Sequence, residues 1–460
     1  MSFNPDKQYR CTIIRGKSIS RMDDYLPIYA KILNEICPIP SDKFDDIFDK
    51  KLSHYIKDDG KTIKNHRTEN VDKLLGMYFE KGGIIYISDR TKKFLHDNDQ
   101  PAFFKSVCFK FQQPNGSQKT QTTKEKAESD INFKPYHFVL GLLKLAASKS
   151  IVLTKSEVAY YALNALEVLQ GKIPIDDTLK TILANRANKI EKKIETRGKA
   201  YSYSFQHINE QFDYLELANL IRKDGKNIWI NSRETTTIDL FVKNLAHPLA
   251  FDFSKFDFNK KGIGREIEQK WREYFGSISD KESIAFNTAI SSLKTIKYSD
   301  TPPTHAVSTI EIGDDGEKFV LQIERDIVKA FNPRLVNKVN FHGKQRGLGY
   351  DITSIEAGRN KKNPEFLRYI EVKATKRVHP PDFTDTFDTI NLTRNEWVAA
   401  EQQASHFYIY RVYFTTKGTY LNIIKDPVKK NDDGLLYATP TVYRIEFGEK
   451  AVDEKLNFAN

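Results

Sequence analysis

The segment Gly347-Leu348-Gly349-Tyr350-Asp351-Ile352, followed after a charged loop by Tyr369-Ile370-Glu371-Val372-Lys373, decides the reading of this chain. Both halves have the apolar and aromatic composition of strands, so Asp351 stands at the start of one strand. Glu371 and Lys373, two residues apart, share one face of the next. Two carboxylates and an ammonium can therefore converge at one sheet edge. Carboxylate oxygens placed there are hard ligands suited to Mg²⁺, which prefers a few carboxylates, several waters and the phosphate oxygens of a substrate. The adjacent lysine can polarise an attacking water or steady charge on a phosphorane-like transition state. The trio is equipped for metal-assisted phosphodiester hydrolysis.

Each half alone also has an ordinary structural reading. Asp351 after Gly-Tyr fits a turn, and Glu-Val-Lys fits the solvent face of an edge strand. Their order, with a helical pattern before them and another over Thr393–Ala404 after them, favours the catalytic reading.

The spacing of Asp351 and Glu371-x-Lys373 resembles the PD-(D/E)xK nuclease superfamily, which includes many restriction endonucleases, although Tyr350 stands in place of the proline. A longer string runs over about 310–413: Ile312-Gly313, Gly316-Glu317, Gly349-Tyr350-Asp351-Ile352, Ile370-Glu371-Val372-Lys373-Ala374-Thr375, Leu392-Thr393-Arg394-Asn395-Glu396-Trp397 and Tyr408-Ile409-Tyr410-Arg411-Val412. It resembles the nuclease-related module at the C-terminus of plant NO VEIN-type proteins and of bacterial defence proteins. By this resemblance Asp351, Glu371 and Lys373 are the metal and catalytic positions, with Glu317 as an auxiliary acid from the preceding helix. The resemblance also implies Mg²⁺ held by Asp351, Glu371 and the backbone carbonyl of Val372, and products with a 5′-phosphate. Asp314-Asp315-Gly316-Glu317 fits a helix capping box equally well, so Glu317 reads as cap or as acid. Thr393-Arg394-Asn395-Glu396 fits that box better. Glu396 is read as a cap with Trp397 packing inward, and neither is assigned to chemistry.

A polyanionic partner agrees with the charge. The chain of 460 residues has 72 Lys plus Arg against 61 Asp plus Glu, a formal charge of +11 and a pI near 9.1. Its 39% hydrophobic content is enough for two to four cored domains rather than a disordered tail. Cys11, Cys37 and Cys108 are odd in number and far apart, which argues against a zinc site or disulfide framework. No leader pattern opens the chain and no stretch approaches the ~18 apolar residues of a membrane span, so a reduced, cytoplasmic protein is expected. No GxxxxGK[ST] phosphate loop and no glycine-rich cofactor fingerprint is present, which excludes a built-in ATP-driven motor or methyltransferase.

Upstream, Asp24–Ile36 and Val71–Glu80 have helical spacing, and Gly82–Ser88 reads as a turn feeding a strand. Gln112–Asp130 reads as an exposed linker, with a boundary near 130. Phe138–Ala147 follows as an apolar helix, and the capping box Thr154–Glu157 opens a helix through Leu169. Phe205–Arg222 is helical, and Lys223-Asp224-Gly225-Lys226 joins it to the aromatic strand Asn227–Asn231. Helix then hairpin is the shape of a winged helix. Its wing would place Arg222, Lys223, Lys226 and Arg233 on phosphates, although a basic turn is as often simply solvated. Two amphipathic helices, Gly264–Phe275 and Ser279–Thr295, read as a connector, and Ser299–Thr304 as a stiff linker. No internal repeat is convincing. Lys344 and Arg346, in the glycine-flanked loop before Asp351, are a candidate backbone contact. Arg359, Lys361, Lys362 and Arg368 are either a second clamp or a solvated hairpin tip. His342 in the same loop is left out of the chemistry.

The expected fold is a C-terminal α/β restriction-endonuclease-like domain over 301–460, a mixed sheet flanked by helices, behind a mainly helical, winged-helix-like N-terminal region. That region comprises recognition modules 1–130 and 131–245 and a connector 246–300. The expected function is Mg²⁺-dependent cleavage of double-stranded DNA, in the manner of a type IIS restriction endonuclease. The alternatives are a modification-dependent nuclease, or a DNA-binding subunit of a defence complex with an inactive nuclease fold. Expected partners are duplex DNA, a transient homodimer on it and a methyltransferase encoded nearby, with no membrane.

Overall fold

The computed structural model describes residues 7–458 apart from 10–12, 14–15, 17–20, 57–59, 98, 193, 195–198, 296–311, 343–347, 384–386 and 440–442. The N-terminal part opens with α1 (Met22–Ile36), β1 (Ile39–Pro40), α2 (Ser41–Tyr55) and α3 (Gly60–Asn65), which runs on as a π-helical stretch to Leu74. The hairpin β2 (Tyr78–Lys81) and β3 (Ile84–Ile87) closes this unit, and its sheet order is β1-β3-β2. Gly82 and Gly83 form the two-residue turn, both at positive φ, as a primed hairpin turn requires. Residues 71–80 are thus not the single helix expected from their spacing. The helix stops at Gly76, which has φ +56 and lies under the Phe275 ring, and the chain then enters a strand.

After α4 (Asp89–Asp97), α5 (Gln100–Lys110) and α6 (Thr120–Glu128), the same connectivity returns. It comprises α7 (Pro135–Ser148), β4 (Leu153–Thr154), α8 (Lys155–Val158), α9 (Leu166–Leu169), α10 (Ile175–Ala187), α11 (Lys199–Leu217) and the hairpin β5 (Ile221–Asp224) and β6 (Asn227–Ile230), with order β4-β6-β5. In both units the short strand pairs with the second arm of the hairpin. This repeat of topology has no counterpart in shared residues, which is why the sequence did not show it. The capping box at Thr154 is formed as expected. The helix it opens does not continue through Leu169, because a π-turn and a break at Asn164 interrupt it. α11 ends at Leu217, and Arg222 already lies in β5.

Two further expectations are corrected. Gln112–Ser117 is buried and α6 follows it, so the segment is not an exposed linker. Gln112 holds the backbone of Phe251 through both its amide oxygen and its amide nitrogen, and Gly116 lies against Trp271 so closely that a Cβ would meet that ring. After α12 (Thr235–Asn244), the two helices expected as a connector, α13 (Ile263–Gly276) and α14 (Lys281–Thr295), pack against the N-terminal body. Arg272 pairs with Asp72, Lys110 with Asp280, and Arg90 donates to the Phe275 carbonyl. One apolar core runs from Tyr9 to Ile290 and covers both units and these helices.

The C-terminal part begins with α15 (Ile312–Phe331), then β7 (Asn340–Phe341), β8 (Ile352–Ile355), β9 (Leu367–Lys376), β10 (Asp388–Leu392), α16 (Arg394–Gln403), β11 (Phe407–Phe414), β12 (Thr419–Lys425), α17 (Pro427–Asp432), β13 (Leu436–Thr439), β14 (Tyr443–Phe447) and β15 (Glu454–Phe458). A six-stranded mixed sheet has the order β15-β12-β11-β9-β8-β7, with only β9 and β11 parallel. A second sheet has the order β10-β14-β13. α15 packs on the face of Ile370 and Val372, and α16 packs on the other, beside Ile409 and Tyr413. β9 then runs into the N-terminal body: Arg377 donates to Asp24, Lys376 forms a bridge with Asp99, and Val378 joins the N-terminal core. Ser299–Thr304 lies outside the described residues.

Candidate active site

Alternation along β9 sends Val372 and Ala374 to the α15 face and Glu371 and Lys373 to the α16 face. β8 pairs with β9 from Ile355 back to Ile352, and the Asp351 amide still donates to the Ile370 carbonyl at 2.9 Å. There the ladder ends. The next β9 amide on that edge, Val372, donates instead to Asp351 Oδ2 at 2.8 Å. A strand residue's N–H and C=O point to the same side, so the Val372 carbonyl faces the same gap.

Glu371 is almost fully buried, and Lys373 Nζ lies 2.6 Å from its Oε1. Asp351 and Glu371 lie close enough for each to shift the other's protonation. Burial raises the Asp351 carboxyl above its ordinary range, helped by the charge of Glu396 and opposed by the Val372 amide and Lys373. Burial, with Asp351 and Glu396 nearby, pushes Glu371 well above its ordinary range against the pull of Lys373. For Lys373, burial favours the neutral form, but Glu371 and Glu396 outweigh it and raise the pKa. Two carboxyl groups, Glu371 buried and Asp351 half-buried, thus sit with one half-buried ammonium.

The structure brings Asp351, Glu371, Lys373 and the Val372 carbonyl together. Glu317 is on α15, one residue past Gly316, which lies against Ala374 and so marks the opposite face of β9. Among the described residues no group of three or more His, Cys, Asp or Glu side chains is placed to hold a metal ion. The helix is already under way at Ile312, so Asp314–Glu317 does not cap its start. Glu396 is the residue that sequence reasoning undervalued. It caps α16 as expected, with Trp397 buried, and its Oε2 also accepts from Lys373 at 3.0 Å. His342 hydrogen-bonds Thr353 through Nε2.

The basic residues divide. Lys344 and Arg346 lie outside the described residues, as does the Arg233 side chain. Lys223 lies between Asp213 and Glu216, at 2.5 and 2.8 Å, and Arg222 donates to Asn219. Lys226 is exposed at the hairpin turn. The clamp reading fails for Arg368, which is 1% exposed and bonded to Glu356 and Tyr410 beneath the sheet, and for Arg359, held by Glu324. Cys37 and Cys108 are free thiols, Cys108 buried. No described helix is long and apolar enough to cross a membrane.

The N-terminal part shows the chain to be a restriction-endonuclease-related protein. Residues 3–272 match the family described as restriction endonuclease BpuJI, N-terminal, and the chain belongs to that family. Residues 316–424 match the family described as protein NO VEIN, C-terminal. A solved structure titled as pyrene- and phenanthrene-modified DNA in complex with the BpuJ1 endonuclease binding domain is similar to this chain, with a TM-score of 0.57 and 42% identity. The match covers 60% of this chain and 100% of that one. No curated protein matches the chain.

Proposed function

We propose that the chain is a Mg²⁺-dependent endonuclease that binds duplex DNA through its N-terminal body and hydrolyses phosphodiester bonds at the Asp351–Glu371–Lys373 cluster, in the manner of a type IIS restriction enzyme. The observation that carries the reading is the convergence of those three residues, in one hydrogen-bonded cluster, behind a BpuJI-type N-terminal part. The similar solved domain is bound to DNA, and the two helix–hairpin units are read here as winged helices with Lys226 on one wing.

A buried carboxyl, Glu371, beside a half-buried one, Asp351, is a donor set of hard oxygens suited to a divalent cation. Asp351, Glu371 and the Val372 carbonyl would hold Mg²⁺, with water and phosphate completing its shell. When bound, the cation neutralises phosphate charge and acidifies water. The chain's own contribution is placement. Val372 N–H orients the Asp351 carboxylate, and Glu371 holds the Lys373 ammonium beside the spot where phosphate charge develops. Glu317 is kept as an auxiliary acid only. Incubating the purified protein with methylated and unmethylated DNA and Mg²⁺, then sequencing the ends, tests the reading. Discrete ends at a fixed distance from a common sequence are expected, and intact DNA in both samples would contradict it.

A further inference from the structure

The first turn of α16 touches both halves of the cluster. Glu396 Oε2 accepts from its own cap amide, Thr393 N, at 2.8 Å and from Lys373 Nζ at 3.0 Å. On the other side Gly349, two residues before Asp351, approaches the same turn at φ +77. A Cβ there would stand 2.4 Å from the Asn395 carbonyl oxygen and 2.7 Å from Ala399 Cβ, so only glycine allows the contact. Among the described residues Glu396 forms no metal-holding group with the carboxylate pair. Its carboxylate is immobilised by the helix end, bonds Lys373, and adds its charge to the surroundings of Asp351 and Glu371.

We infer that Glu396 is a positioning residue: α16 is a jig whose capping carboxylate fixes the Lys373 ammonium against Glu371 while its backbone seats the Gly349 loop that delivers Asp351. This rests on the nuclease reading of the cluster. Cap and positioning use one oxygen, so they can be separated by choosing which bond is removed. Glutamine serves in a capping box as glutamate does, so Glu396→Gln keeps the helix end but removes the charge that holds Lys373. Thr393→Ala weakens the cap but leaves the charge.

The experiment measures single-turnover cleavage in Mg²⁺, DNA affinity in Ca²⁺ and melting temperature for the full-length wild type and both variants. Glu396→Gln should lose about 10–100-fold in cleavage rate with unchanged affinity and melting temperature, the scale of a misplacement of roughly 1 Å. Thr393→Ala should melt about 2–4 °C lower and cut within about threefold of wild type. Wild-type cleavage by Glu396→Gln, or an equal rate loss in Thr393→Ala, overturns the inference while the nuclease reading stands. A wild type that cuts no DNA overturns the nuclease reading, and the positioning role with it.

Discussion

Replacing Glu324 by alanine should be the most damaging single change in the C-terminal part. Glu324 is fully buried on α15 beneath the sheet. Arg359 grips it with two parallel bonds of 2.7 and 2.8 Å, and the Tyr410 hydroxyl donates to it at 2.7 Å. Without it the Arg359 guanidinium, mostly enclosed, keeps its charge and loses its partner. Breaking such a pair costs about 3–5 kcal/mol, or roughly 6–20 °C in melting temperature at about 2–4 °C per kcal/mol. Calorimetry with far-UV dichroism measures it. The pH dependence has a definite sign. Burial alone would raise the Glu324 pKa, but the hydrogen bonds and charge of Arg359 outweigh it and hold the carboxyl below its usual range. Its stabilisation is therefore full above the ordinary glutamate pKa of about 4.3 and lost as pH falls through the folded value. The gap between wild type and Glu324→Ala should be constant from about pH 6 to 8 and shrink below about pH 4. A loss under about 1 kcal/mol at pH 7, the scale of a surface pair, would refute the argument.

Three other outcomes are expected. Lys226→Ala should lower the slope of log affinity for DNA against log salt by about one, whereas Lys223→Ala, whose ammonium is occupied by Asp213 and Glu216, should leave that slope unchanged in the same titration. A fragment of residues 1–295, which keeps α13 and α14 with the body they pack on, should bind the specific DNA in gel shift, while 312–458 should not discriminate sequence. One cluster cuts one strand at a time, so a mixture of wild type and Glu371→Ala should accumulate nicked plasmid; one-step linear product at protein far below DNA would point to a stable dimer instead.

Much of the site was legible because its chemistry is local. Strand alternation placed Glu371 and Lys373 on one face, and the capping box of α16 was readable from Thr393 and Glu396. What failed depended on distant partners. Gln112–Ser117 looked like a linker until its polar side chains were seen holding the backbone of residues far along the chain, as Gln112 does with Phe251. Val71–Glu80 has helical spacing, but Gly76 at positive φ and pairing with β3 impose a strand on its second half. Arg368 looked solvent-facing because its partners, Glu356 and Tyr410, approach from other elements. The repeated helix–strand–hairpin unit is a property of connectivity, which residue identities do not display.

The central claim is that Asp351 and Glu371 serve a hydrolytic reaction rather than the fold. The most direct measurement is Mg²⁺-dependent cleavage of duplex DNA by the wild type beside Asp351→Ala and Glu371→Ala, with DNA affinity recorded in Ca²⁺, which occupies oxygen ligands with looser geometry. Cleavage should be abolished in both variants while affinity is largely kept, because each removes a group used in the transition state. Full cleavage by either variant would contradict the account.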